Sequence, residues 1–303
     1  MARSRTRYRR SAFLGVVLSL PAIILAFLFL FWPVFVAGQY SFTSASGYGD
    51  RDPVGFENYL TAFTDTRFHD AIGRNVIFAI GVTLCSTVIG FVLAYMLFLR
   101  VRGWRALQVM FLVPFIMPVV VVGLLWQFML EPTNGLVNSV LRQIGLGSLA
   151  GPWLTGESTA LASVGLVHVW TLAPFAMLLI FSAMIGLPAD VLEAASIDGA
   201  GHLVKMWRIV LPMVRPTLVL VLFVLMLQLF RSFDLVYLLT KGGPIGSTTI
   251  ATLYLFVEGF TNNKYGYANA LGIILGLVLG TIAMIPRIVT WRQARISAKR
   301  GAL

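Results

Sequence analysis

Charge is scarce in this chain. Only 12% of its 303 residues are charged while 58% are apolar, and the mean hydropathy is +0.86. A soluble globule of this length needs far more polar surface, so that class is excluded and the chain belongs in a bilayer. Cysteine is scarcer still. A lone Cys85 can form no internal disulfide and has no cysteine partner for a metal site, so it reads as a buried packing residue. The four lysines follow Val204, Thr240, Asn263 and Ala298, never Gly. The phosphate-cradling pattern Gly-x-x-x-x-Gly-Lys-Ser/Thr is therefore absent, and ATP hydrolysis by this chain is not expected. Tandem repeats, low-complexity tracts and a separate soluble domain are also missing.

What is present is a series of apolar runs. A hydrocarbon core of about 30 Å needs about 20 residues of helix. Five runs meet that length without interruption, at residues 11–49, 75–99, 106–130, 158–189 and 265–286, and a sixth, 216–239, is interrupted late by Arg231 and Asp234. The expected fold is an all-α integral membrane protein with six transmembrane helices. It divides into a basic N-terminus at 1–10, a membrane domain at 11–290 and a basic tail at 291–303. The first span reads as ending near Trp32-Pro33, with an interfacial helix around Phe56-Glu57-Asn58-Tyr59-Leu60. Pro114 and Pro118 invite kinks in the third span, and Pro174 in the fourth. The connection 131–157 reads as a turn followed by a short surface helix.

Basic residues orient the spans. With a cytoplasmic N-terminus, 16 of the 23 Lys and Arg fall inside, and nine of the 12 acids fall outside. Both termini are thus expected in the cytoplasm. The arginines flank spans instead of forming one patch, so the net charge of +11 does not point to nucleic acid. The N-terminal apolar run is too long for a cleaved signal peptide and reads as a retained anchor. In this topology His69, His168 and His202 lie in an outer loop, a span and an inner loop, too dispersed to hold a metal.

The inner loop 187–215 is the only long polar stretch between spans. Pro188 suits a helix start, Val191 to Ile197 contains good helix formers, and Gly199 and Gly201 permit a bend. A second helix is expected from near His202, with Leu203, Met206, Trp207 and Val210 at i, i+3, i+4 and i+7 forming one apolar stripe. Pro212 and Pro216 end it. From the residues alone, this helix could lie at the lipid interface or dock another protein.

The order Glu193-Ala194-Ala195-Ser196-Ile197-Asp198-Gly199-Ala200, followed by Ile209-Val210-Leu211-Pro212, resembles the cytoplasmic coupling loop of permease subunits of binding-protein-dependent ABC importers. That resemblance implies that Glu193 makes a polar contact with a separate ATPase, that Ala194 and Ala195 pack there, and that Asp198, Gly199 and Ala200 shape the bend. Leu203, Met206 and Trp207 would complete the coupling surface. The run from Phe230 through Phe233-Asp234 to Lys241-Gly242-Gly243-Pro244 is similar to the end of the fifth span in the sugar-importing branch, the maltose and glycerol-phosphate permease group, although Lys241 replaces a usual glycine. The implied partners are a second homologous permease, two ATPase subunits carrying ATP and Mg, an extracytoplasmic solute-binding protein and the lipid bilayer. No cofactor is expected on this chain.

A substrate path is sought among polar groups within the spans. At helical rise Gln228, Arg231 and Asp234 lie about 18, 22 and 27 Å from Pro216. His168 and Trp170 in the fourth span, and Trp126 and Gln127 in the third, extend the set. Amides and charges bond hydroxyls and aromatic rings cover sugar faces, so the group suits a hydroxyl-rich solute; an Arg231–Asp234 salt bridge and a packing role for His168 are the alternatives. A secondary transporter would need an ion site, yet no span centre carries Asp or Glu. A membrane enzyme would need convergent catalytic groups, which do not occur. Amino-acid and phosphate ABC permeases can share the coupling loop and remain open.

Overall fold

The computed structural model describes residues 18–46 and 51–300, with side chains to residue 284. The basic segment 1–10, the expected start of the first span and residues 301–303 lie outside the described residues. In chain order the helices are α1 (Leu18–Tyr40), α2 (Glu57–Thr64), α3 (Thr66–Phe98), α4 (Trp104–Ile116), α5 (Val119–Met129), α6 (Leu136–Gln143), α7 (Ala160–Ile185), α8 (Ala189–Ile197), α9 (His202–Met213), α10 (Arg215–Phe230), α11 (Asp234–Thr240), α12 (Ala251–Phe256) and α13 (Tyr265–Arg300). No strand occurs among the described residues. Four helices are long and apolar enough to cross a membrane, and two bent pairs, α4 with α5 and α9 with α10, raise the number to six if each pair is one span.

The described residues divide into two compact units, residues 66–254 with 279–300 and residues 18–46 and 51–65 with 255–278. In the first of these, α3 and α7 approach closely because small residues meet. A Cβ on Gly90 would lie 2.6 Å from Ala176 Cβ and 2.9 Å from the Ala173 carbonyl, and one on Gly165 would lie 3.3 Å from Val82. Ala79, Ala94, Ala173 and Ala176 are buried along the same seam. Small side chains let helix backbones touch where lipid offers no competing hydrophobic drive.

The breaks are sharper than the expected kinks. Pro114 sits inside α4 without ending it, and Pro174 lies within a continuous α7. Pro118, by contrast, disfavours helical geometry at the preceding residue. Met117 is extended at φ −65°, ψ 136°, and α5 leaves at 95° to α4. The expected run 216–239 is likewise two helices, α10 and α11, separated at Arg231, Ser232 and Phe233. Cys85 is exposed, a correction to its expected burial. It shares its side of α3 with exposed Leu84 and Val88, away from the α7 seam.

In the other unit, α1 does not end at Trp32-Pro33. Pro33 supplies no N–H, and a π turn at Phe27–Phe31 immediately before it lets the helix run on to Tyr40. Asn58 Nδ2 donates to the carbonyls of Ser41 and Thr43, both at 2.9 Å, and fixes α2 against the chain leaving α1. Glu258 is 5% exposed. Its charge is matched by Lys264 Nζ at 2.9 Å, while Asn262 Nδ2 donates to its other oxygen at 2.9 Å.

Candidate functional site

The two helix breaks open on one cavity. It has a volume of about 460 Å³ and is bounded by Met117 and Val119 at the first break, by Gln228 and the Arg231–Asp234 segment at the second, and by His168 and Thr171 of α7. A span that is broken where it lines a cavity presents polar groups there without exposing bare backbone to lipid. Gln228, Arg231 and Asp234 are exposed within the chain, whereas His168 is buried.

His168 locks the second break to α7. Its Nδ1 is 3.0 Å from the Val164 carbonyl, which can only accept, so Nδ1 carries the proton in the neutral ring. Nε2, 2.8 Å from Ser232 Oγ, then accepts from that hydroxyl. The Phe78 ring meets the imidazole edge-on at 5.0 Å, and Thr252 Oγ1 donates to the Ser232 carbonyl at 2.5 Å. Ser232 was invisible to sequence reasoning, since nothing about a serine between two charged candidates marks it as a joint. Arg231 and Asp234 make no ion pair with each other, unlike Arg74 with Asp70 and Lys264 with Glu258.

Three expected path residues lie elsewhere. Trp126 is 8% exposed and packs edge-on against Trp170 with centroids 5.5 Å apart. Gln127 Nε2 donates to the Leu238 carbonyl at 2.5 Å, tying α5 to α11. None of the three borders the cavity. An indole or amide at this depth can face a neighbouring helix as well as a solute, and here each has a protein partner.

At the other end of α7, the loop 187–215 forms the bent pair α8 and α9. Gly199 adopts φ +76°, and the N–H groups of Gly199 and Ala200 donate to the carbonyls of Ser196 and Ala195 at 3.1 and 2.9 Å. This pattern is a Schellman cap, which requires the left-handed residue that glycine supplies. Lys205 Nζ donates to Ser196 Oγ at 2.5 Å across the bend. The pair is anchored on α3, where Tyr95 Oη donates to the His202 carbonyl at 2.7 Å and Phe91 lies 6.1 Å from Trp207.

The expected single apolar stripe is split. Met206 and Val210, four residues apart, are buried, while Leu203 and Trp207, also four apart, stay 70% and 53% exposed, in a helix that holds a π turn at Met206–Val210. Ala195 also turns inward, at 7% exposure. Glu193, Ala194, Asp198 and Gly199 remain exposed, and Ala200 is half-buried. Outside the spans, Glu131 accepts the backbone N–H groups of Asn134 and Thr133 at 2.5 and 2.9 Å, and these bonds hold its carboxyl below the usual glutamate range.

A broken-span cavity and a bent surface loop on the same helices define a polytopic transport subunit. Residues 86–289 match the family described as "Binding-protein-dependent transport system inner membrane component", and the chain belongs to that family. It is therefore a multi-pass protein of the cytoplasmic membrane and a permease component of a binding-protein-dependent system. It is 28% identical over 289 residues to the sn-glycerol-3-phosphate transport system permease protein UgpA of Escherichia coli O6:K15:H31, covering 94% of this chain and 96% of that one. It is 29% identical over 265 residues to the multiple sugar-binding transport system permease protein MsmF of Streptococcus mutans, covering 87% and 90%. Among solved structures, a chain of a bacterial ABC transporter that imports the acidic polysaccharide alginate superposes with a TM-score of 0.82 at 25% identity, covering 96% of this chain and 99% of that one.

Proposed function

We propose that this chain is one permease subunit of an ATP-driven importer for a carbohydrate or polyol-type solute. Both bent pairs count as spans, giving six, with both termini and the 187–215 loop in the cytoplasm and residues 1–10 and 291–303 as basic flanks. A second permease, two ATPase subunits and an extracytoplasmic binding protein complete the complex. ATP and Mg belong to the ATPase pair; the chain binds no cofactor of its own.

The observation that carries the reading is the direct mechanical link from cavity to loop. Between His168 and the end of α7 at Ile185 lie about 26 Å of uninterrupted helix at the standard rise, and the loop that follows is bonded back to α3. Movement of α8 by the ATPase pair would thus reach the cavity through α7. ATP binding shifts the equilibrium only if the loop contacts differ between inward-facing and outward-facing states. Within the cavity Gln228, Arg231 and Asp234 supply donors and acceptors for hydroxyls, with His168 held back as the support of the joint. The names of the glycerol-phosphate, sugar and alginate relatives support the solute class.

The test is native mass spectrometry of the tagged chain extracted gently from its own membrane, followed by uptake assays with the recovered complex. The expected result is two ATPase copies with one further permease, and ATP-dependent uptake of a sugar or polyol. A stable monomer or homo-oligomer, extracted under conditions that preserve a known ABC complex, would overturn the importer reading.

A further inference from the structure

A second cavity of about 480 Å³ lies between α5, α6 and α7, at the end of α7 remote from the coupling loop, and its walls include Trp126, Val137, Leu141, Trp153 and Leu166. Its lining is chiefly apolar, with the hydroxyls of Ser158, Thr159 and Ser163 as its small polar share. Trp153 Nε1 already donates to Asn138 Oδ1 at 2.7 Å, and Thr159 Oγ1 to the Pro152 carbonyl at 3.1 Å. Trp126 Nε1–H has no partner but is itself enclosed, so it presents no donor.

The cavity opens on an exposed apolar flank. Leu166 in its wall is 56% exposed, and nearby on α5 Leu124 and Phe128 are 49% and 77% exposed. The helix α6 is amphipathic: Val137 and Leu141 turn to the cavity, Leu136, Val140 and Ile144 beside them on the same apolar face are 58%, 44% and 61% exposed, and Ser139, Arg142 and Gln143 lie on the opposite face. A helix of this kind is stable in the interface plane, with its apolar face toward acyl chains and its polar face toward headgroups. Arg142, the one charge on α6, folds back to donate to the Thr133 carbonyl at 2.8 Å.

We propose that this cavity holds an acyl chain of a phospholipid from the leaflet opposite the coupling loop, with α6 lying in the interface above it. The occupant is an alkyl chain because burial of apolar surface is the interaction these walls supply.

The experiment uses the full importer complex in nanodiscs containing phosphatidylethanolamine with a diazirine near the end of one acyl chain, with photolabelled peptides mapped by mass spectrometry. Label should concentrate on α5, α6 and α7 over the exposed helix α1. Ala162→Phe, at an exposed position in the cavity wall, should reduce that label by at least about fourfold, the weight of one buried methylene, leaving α1 labelling unchanged. Leu166→Phe serves if Ala162→Phe does not assemble. Equal labelling of α1 and the cavity, label insensitive to whichever variant assembles, or absence of label because another subunit covers the cavity would each overturn the proposal. Solute uptake is not the readout, so the outcome is independent of the importer's substrate.

Discussion

His168 occupies a position where chemistry and architecture meet. Its ring accepts from Ser232 at the break between α10 and α11, so replacing it with an apolar ring of similar size leaves a hydroxyl unpaired. His168→Phe should cost about 1–3 kcal/mol, read as a lower unfolding temperature of the purified complex. Much of that loss should return in the His168→Phe/Ser232→Ala double variant; an additive pair would show that the bond carries no coupling. Glu193 lies at the opposite extreme. It is exposed, and Glu193→Lys should leave membrane insertion and yield unchanged while reducing ATPase co-purification roughly tenfold, or 1.4 kcal/mol. Undiminished co-purification would remove Glu193 from the coupling surface.

At the scale of helices, the α3–α7 seam tolerates little. Gly90→Leu would drive a side chain into the backbone of α7 at Ala173 and Met177, and overpacking of this kind costs about 1–3 kcal/mol or more. The expected outcome is a destabilised chain with poor assembly, measured by thermal unfolding in detergent; an unchanged midpoint would mean the helices are farther apart than described. Glu131 makes the turn after α5 sensitive to acid. Its carboxyl is held low by backbone N–H groups, so the turn is fully stabilised above the ordinary glutamate pKa and loses that support as pH falls through the lower folded value. The hydrogen-exchange protection factors of Thr133 and Asn134, taken against the intrinsic rate at each pH, should fall in that acid window, and Glu131→Gln should abolish the dependence.

The helices also show what was legible. Apolar run lengths revealed the spans, and the two glycines after Ile197 revealed the bend, because both signals are local. The severity of the breaks at Met117-Pro118 and Arg231–Phe233 depends on partners distant in sequence. Pro114 and Pro174 carry the same local signal as Pro118 yet end no helix. Trp126, Trp170 and Gln127 were placed by counting along their helices, yet they turn to protein neighbours and not to the cavity, since position along a helix follows from counting and azimuth follows from packing. Cys85 failed for the same reason. Met206 was assigned to one stripe with Leu203 and Trp207, yet it turns inward with Val210, because tertiary packing decides which part of an apolar arc is covered.

For the whole molecule, α7 connects the two candidate sites. One end borders the broken-span cavity, the other delivers the chain to a loop whose bend is fixed by backbone bonds. The loop therefore behaves as a preformed part and needs no ordering step when a partner docks, which spares the entropic cost of immobilising it. The tie between Gln127 and the Leu238 carbonyl has a further consequence. It fastens α5 to α11, and each of those short helices begins at a break that borders the cavity. Fastened together beyond two breaks, they are one mechanical unit: a displacement of either half would be carried to the other, and the cavity wall they share would shift as a single plate.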